Sequence, residues 1–462
     1  MTNQPKKATT RRKPTVSNNK TSPIYFLSLQ VENVLCFKDR QELNLSDKKG
    51  CPAQWTVILG NNGVGKTTLL RCLAGMEVHL ELIEEEDQFF ANPILFDFFF
   101  EDPSTWHETD KLVSDKAIIQ AELLSGNSLS TIKKNENLDL QRHEIDIQAG
   151  NSCSSGGEEL KGLICYGYGA TRRMGKASLS DSYTTSEHSA SLFSDDVLLI
   201  NAEEWLLQTD YAIKYTSGRI RNRIKKQFAH IIEILKRILP DIKDIRISLD
   251  KERDIPVAEF LTPFGWVQLS SLGLGYRTMI SWMVDLAVRL FKRYPDSEDP
   301  LAEPAIVLVD EIDLHMHPQW QRTIMEFLTE RFPNTQFIVT AHSPLVVQAA
   351  QDANIVLLRR EGDRVVIDNN PEIIENWRVD QVLTSVFEMP SSRPAKIEPL
   401  LARRQEILTK SKLTKADKSE LKELEEKIGT LPTAETSEDI KAMDIIRRAA
   451  KLLEKSGAEA VE

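Results

Sequence analysis

Cysteine is scarce in this chain. Its five residues, Cys36, Cys51, Cys72, Cys153 and Cys165, form no CxxC pair, so neither a zinc knuckle nor a disulfide framework is indicated. That usage suits a reducing cytosol. Long apolar runs are missing as well: the best candidate, Met279 to Phe291, is interrupted by Asp285 and Arg289, whereas a bilayer needs about 18 uninterrupted residues. The basic N-terminal segment lacks the apolar stretch of a signal peptide. Sustained heptads are also absent, which excludes a long coiled coil. These absences together lead us to expect a soluble cytoplasmic protein.

Charge is unevenly placed. The net value is −11 over 462 residues, yet residues 1–22 carry six Lys/Arg and no acid. So polar a segment has little to bury and is expected to be a disordered basic tail, or an arm for nucleic acid or another subunit. Residues 77–110 show the opposite bias, with eleven Asp/Glu, no Lys or Arg, and six phenylalanines. Acid interleaved with that many aromatics suggests a surface awaiting a partner.

The chemistry begins at "ILGNNGVGKTTLLRCLAG", residues 58–75. Gly60, Asn61, Asn62, Gly63, Val64, Gly65, Lys66, Thr67 and Thr68 form a phosphate loop, because they follow an apolar strand (Trp55–Leu59) and open a helix ending near Gly75. Inward-facing backbone N–H groups and the helix N-terminus favour a phosphate there. Lys66 is expected to reach the β- and γ-phosphates of ATP, and the Thr67 hydroxyl to sit on Mg²⁺.

Two further strands complete the site. "AIVLVDE", 305–311, ends in two acids: Asp310 to hold Mg²⁺ and Glu311 to orient or deprotonate the attacking water. "QFIVTAH", 336–342, delivers His342 to the same sheet edge, where it would sense or polarise the γ-phosphate; capping the helix at Pro344 is its other reading. Between them "HPQWQRTIMEFLTERF" has a helical period, and strand–helix–strand order predicts a parallel α/β sheet. Upstream, Gly273 to Gly275 open the long helix of "LSSLGLGYRTMISWMVDLAVRLF", a second anion-facing helix N-terminus 35 residues before Asp310.

In this order the motifs resemble the head of an ABC-type ATPase, and "DEIDLHMHPQWQ" is similar to the RecF/SMC-like and OLD-like branch of that family. The resemblance covers residues 24–360. It implies an α/β fold, namely an ABC-type P-loop ATPase head (mixed sheet with flanking helices), with an α/β insert and a C-terminal helical extension. It also implies signature residues Gly273, Gly275 and Arg277, with Gly273 in place of the usual serine, and a homodimer or a higher oligomer built from dimers. For the glutamine that such heads place on the metal, Gln120 in "KAIIQAELL" is the candidate; a polar strand residue is the other reading. Farther on, "NWRVDQVLTSVFEMPSSR" and a charged helical tail look like the ATPase subunit of Septu-type anti-phage defence systems, also found in some retrons. That likeness implies a separate HNH nuclease subunit as partner.

The expected organisation is a basic tail (1–22), the first part of the head with the phosphate loop (23–76), an insert (77–200), a helical insert (201–260), the second part of the head (261–370) and a helical extension (371–462). Within the insert, "GRIRNRIKKQFAHIIEILKRIL" is a basic amphipathic helix that suits phosphate-backbone contact or a solvated face, and "YGYGATRR" delivers Arg172 and Arg173 after a Gly-rich turn. The extension is too short and too strand-poor for the TOPRIM nuclease domain of OLD proteins, so the chain itself is expected to cut nothing. A RecF-like DNA-repair ATPase without a nuclease partner is the alternative reading.

Overall fold

The computed structural model describes residues 22–83, 86–91, 113–134, 140–148, 151–154, 159–175, 188–239, 241–250, 254–350, 352–371, 379–387, 389, 395–410 and 414–428. The basic segment up to residue 21, most of the acidic Phe-rich stretch, and residues 372–378 and 429–462 of the expected helical extension lie outside them. The chain divides into two compact units, Met1–Val382 and Leu383–Glu462.

The first unit holds sixteen described strands: β1 (Ile24–Val34), β2 (Gln41–Asn44), β3 (Trp55–Gly60), β4 (Val78–Ile83), β5 (Glu86–Ala91), β6 (Val113–Ser125), β7 (Gln141–Gln148), β8 (Asn151–Ser154), β9 (Cys165–Tyr168), β10 (Asp244–Asp250), β11 (Ile255–Thr262), β12 (Gly265–Gln268), β13 (Ala305–Val309), β14 (Thr335–Thr340), β15 (Asn354–Glu361) and β16 (Arg364–Asp368). The main sheet runs β16-β15-β3-β14-β13-β9. All its neighbours pair in parallel except β15 with β16. Every residue of β3, β13, β14 and β9 is buried, as expected for parallel strands covered on both faces. Because these strands run the same way, the loops that follow them gather at one edge, which is where open α/β sheets bind ligands.

A second, antiparallel sheet has the order β2-β1-β6-β7-β8. One side chain ties it to the main sheet. Gln336 of β14 is fully buried; its Oε1 accepts from the Phe26 backbone N–H and its Nε2 donates to the Phe26 carbonyl, both at 2.9 Å. The amide behaves as one more peptide unit between the sheets and satisfies two backbone groups shut off from water.

The two residues that interrupt the apolar run 279–291 have a structural reason. Asp285, on the helix Leu274–Arg293, is fully buried. It accepts from Arg289 Nε at 2.6 Å, from the Tyr168 hydroxyl at 2.9 Å and from the Ile200 N–H at 3.1 Å. A buried carboxylate is tolerated because its lone pairs are taken, and it fastens this helix to the end of β9. No helix among the described residues is long and apolar enough to cross a membrane.

In the second unit, helices Glu398–Leu408 and Lys415–Ile428 form a hairpin. Arg403 forks onto Glu420 through Nε–Oε1 at 2.7 Å and Nη2–Oε2 at 3.1 Å. Ile407 and Leu424 are buried there, while Leu421 is half-buried.

Gln336→Leu keeps the volume but leaves the Phe26 N–H and C=O unpaired. At about 1–3 kcal/mol for each of the two buried unsatisfied groups, the stability loss should be about 2–6 kcal/mol. Denaturant titration should show a lower midpoint at unchanged slope. A loss below about 1 kcal/mol would show that the two groups find other partners.

Candidate functional site

The loop after β3 is shaped by glycine. Gly65 caps the helix Lys66–Ala74 with φ +84, and a Cβ there would lie 2.6 Å from Cys36 Sγ and 2.8 Å from the Phe37 ring. Only glycine combines that backbone with that contact. The next residue, Lys66, is 6% exposed. Its ammonium donates to the Gly60 carbonyl at 2.9 Å and the Asn61 carbonyl at 2.8 Å, so the loop's own oxygens stand where phosphate oxygens would. Burial draws the Lys66 pKa down, against the pull of Asp310, Glu311 and Asp313.

Asp310 closes the other side. Its Oδ2 accepts from the Thr67 hydroxyl at 2.7 Å and its Oδ1 from the Thr340 hydroxyl at 2.6 Å. The Thr340 oxygen also accepts from the Glu311 N–H at 2.7 Å. One buried threonine at the end of β14 therefore aims both acids. Glu311 sits at φ +49, in the left-handed region that non-glycine residues rarely occupy. The His342 Nε2 lies 3.9 Å from Glu311 Oε1, and its backbone N–H reaches both oxygens of Asp313 at 3.2 Å. Capping of the following helix, Pro344–Ala349, falls to Ser343 rather than to His342.

These groups share one cleft, lined by Asn62, Gly63, Gly65, Lys66, Thr67, Thr68, Asp310, Glu311 and His342, with Leu35 and Cys36 from the turn after β1. Among the described residues no group of three or more His, Cys, Asp or Glu could form a metal cage. Thr67 and Asp310 offer two oxygens at one point, which fits Mg²⁺ held mainly by nucleotide phosphates and water. When bound, the ion would neutralise phosphate charge.

Gln120 is a correction. It stands on β6 in the antiparallel sheet, in register with Gln30 and Asp146. Its Oε1 accepts from Arg40 Nη2 at 2.8 Å and its Nε2 donates to Asp146 Oδ2 at 3.1 Å. Both ends of the amide are engaged away from the cleft. The strand that does run beside the Asp310 strand is β9, and the loop after it supplies Arg172.

Arg172 is 2% exposed, with φ +37. Its Nη2 donates to the Glu311 carbonyl at 2.7 Å, while Nε and Nη1 have no partner. Burial brings its pKa down to about 10, with Asp310, Asp313 and Glu311 pulling the other way. It is a buried cation set among three carboxylates and holding the backbone of the turn that carries Glu311.

The signature residues Gly273, Gly275 and Arg277 do not line the cleft. Gly273 caps its helix and, like Arg277, is exposed. A Cβ on Gly275 would lie 2.3 Å from the His315 carbonyl, so this glycine lets the helix press against the turn after Glu311. Sequence reasoning missed Thr340 and Asp313. The only available signal was their place next to the motifs.

Thr340→Val keeps shape and burial but removes the hydroxyl that aims Asp310 and Glu311. Loss of such a supporting hydrogen bond typically costs about 10–100-fold. Magnesium-dependent ATP turnover should fall by that factor while nucleotide binding without magnesium stays unchanged. Equal losses in both would mean that the loop itself had been disturbed.

Comparison with known proteins agrees with these motifs. Residues 176–348 match the family described as "AAA domain, putative AbiEii toxin, Type IV TA system", and residues 28–76 match "AAA domain". The chain is 25% identical to "Septu protein PtuA" of Bacillus mycoides (strain KBAB4) over 84% of its own length and 48% of that protein. It is 36% identical to "Retron Vc95 probable ATPase" of Vibrio cholerae serotype O1 biovar El Tor over 31% of its length and 27% of that protein. It thus spans about half or less of the curated relatives it matches. A solved SMC head bound to the C-terminal winged helix of ScpA aligns at TM-score 0.43 and 13% identity, over 74% of this chain and 97% of that one. By motif order and site geometry the chain resembles ABC-type ATPases, and in sequence it is similar to the Septu PtuA and retron ATPase proteins.

Proposed function

We propose that this chain hydrolyses ATP as the regulatory, sensing subunit of an antiviral defence complex whose cutting is done by a separate HNH nuclease chain. The observation that carries the reading is the Thr67–Asp310 contact at 2.7 Å, beside a Glu311 carboxylate that faces the cleft. It supports Mg²⁺–ATP binding, while the likeness to Septu and retron proteins supports the defence role. In this reading Lys66 and the loop N–H groups bind the phosphates. Glu311 orients the attacking water, and His342, 3.9 Å away, holds that carboxylate and meets the γ-phosphate.

The signature residues lie off the cleft in their own chain, and Gly273 and Arg277 are exposed. We therefore propose that a second copy supplies them across a twofold axis, enclosing two ATP molecules, with higher oligomers built from such dimers. Gly273 can donate only its backbone N–H, so hydrolysis is expected to be slow.

ATP turnover and particle mass, measured together at micromolar protein, test the site and the dimer. Wild type should hydrolyse ATP, Lys66→Ala should fail to bind it, and Glu311→Gln should bind ATP and accumulate as dimers. Monomers only, with ATP bound to Glu311→Gln, would rule out the composite site.

The nuclease docking site is proposed on the helical extension 371–462, which the head motifs do not need. Deleting 395–462 and co-purifying with the proposed HNH nuclease chain tests it. Full retention would move docking to the acidic Phe-rich segment 77–110, and no co-purification with the intact chain would favour an ATPase that works without a nuclease.

A further inference from the structure

A helical hairpin of the insert takes no part in the nucleotide cleft. Its first helix is Ala202–Tyr215 and its second Gly218–Ile238, joined through Thr216 and Ser217, with Gly218 at φ +62 making the turn. The second helix changes character along its length. Its C-terminal half buries Ile231, Ile234, Leu235 and Ile238. Its first half stands in solvent: Gly218 to Arg223, Lys225 and Lys226 are all exposed.

The charges divide at the same place. In the C-terminal half each basic group has an acidic neighbour: His230 with Asp299 at 3.7 Å, Lys236 with Asp244 at 3.2 Å and Arg237 with Glu330 at 2.6 Å. In the first half Arg219, Arg221, Arg223, Lys225 and Lys226 make no side-chain hydrogen bond or ion pair among the described residues, and no acid occurs from Gly218 to Ile232. Arg219, Arg223 and Lys226 fall at i, i+4 and i+7, one stripe about 10 Å long. Arg221 and Lys225 form a second stripe. Like charges at this spacing repel and weaken the helix, and an anionic partner removes that penalty. The unmatched positive charge lies on a chain of net charge −11, so bulk charge does not explain it.

Just before the Thr216–Ser217 connection, the last turns of the first helix expose two aromatic rings. Tyr211 and Tyr215 are 62% and 73% exposed, with centroids 4.3 Å apart. Unpaired bases stack on such rings while basic side chains follow the phosphate backbone. A second copy would bring positive charge against positive charge, and a duplex would offer the rings no free base. We propose that this hairpin is a binding surface for single-stranded nucleic acid, with Arg219, Arg223 and Lys226 on the backbone and Tyr211 and Tyr215 under the bases. The proposal does not depend on the nuclease reading, because none of these residues lines the cleft.

Fluorescence anisotropy of the full chain tests it, using a labelled single-stranded DNA of about 20 nucleotides and its duplex, between about 50 and 200 mM salt. Wild type should prefer the single strand. The triple variant Arg219→Glu/Arg223→Glu/Lys226→Glu should bind at least about tenfold more weakly, with the log–log salt slope shallower by about 2, since each single-strand phosphate contact contributes about 0.7. Tyr211→Ala/Tyr215→Ala should weaken binding about tenfold or more at unchanged slope. ATP turnover should be normal in both, which shows that the head is folded. No binding by wild type at the lowest salt, or equal binding by the triple variant, overturns the proposal. Preference for the duplex with no effect of the tyrosines overturns the stacking role. A changed particle mass in the triple variant, with oligonucleotide binding intact, would assign the face to a second copy instead.

Discussion

The Asp310 carboxylate accepts one hydroxyl on each oxygen, Thr67 from the phosphate-loop helix and Thr340 from the end of β14. Three segments far apart in sequence, the loop at 60–68, the acids at 310–311 and the strand end at 340–342, are thereby held at one point. Both hydrogen bonds go to a carboxylate that is itself buried, where such bonds are stronger than between neutral groups. Thr340 also takes the Glu311 N–H, so Asp310 and Glu311 share a support. Displacing this carboxylate would lose the Thr67 contact, the Thr340 contact and the setting of Glu311 together.

Around that point the fold places charge where water cannot reach and satisfies it locally. Arg172 balances Asp310, Glu311 and Asp313 and holds the Glu311 carbonyl. Asp285 balances Arg289 and takes the Tyr168 hydroxyl. Tyr168 in turn offers its carbonyl to the Asp310 N–H at 2.8 Å. A chain of short polar contacts thus runs from the signature helix through β9 to the acid at the cleft. Gly275, pressed against the His315 carbonyl, makes a second connection between that helix and the turn after Glu311. The face proposed to meet a second copy and the acids of the cleft are therefore mechanically joined inside one chain.

The phosphate loop, the acid pair and His342 were legible because each is a local pattern: a buried strand followed within a few residues by the group it delivers. Their convergence was legible as well, since parallel strands put their following loops at one edge. Gln120 was misplaced because a glutamine in a strand carries no mark of which sheet the strand joins. Pairing with β1 and β7 sent it to Arg40 and Asp146. Arg172 was visible as an arginine after a Gly-rich turn, but not as a buried one, because its partner lies 139 residues away.

The sequence by itself determined the phosphate-loop and acid-pair motifs, the parallel sheet and the amphipathic period of the basic helix, because these follow from residue order over a few turns or one strand. Only the tertiary structure decided which polar residues were spent on internal contacts and which were left over. Thr340, Asp313, Asp285 and Gln336 look no different in the sequence from surface residues, yet each is consumed in a contact inside the fold. Arg219, Arg223 and Lys226 look no different from Lys236 and Arg237 in the same helix, yet only the latter pair meet acids. The reason is physical: a hydrogen bond or ion pair is fixed by where two distant segments meet, and that follows from packing the strands and helices, not from their order along the chain.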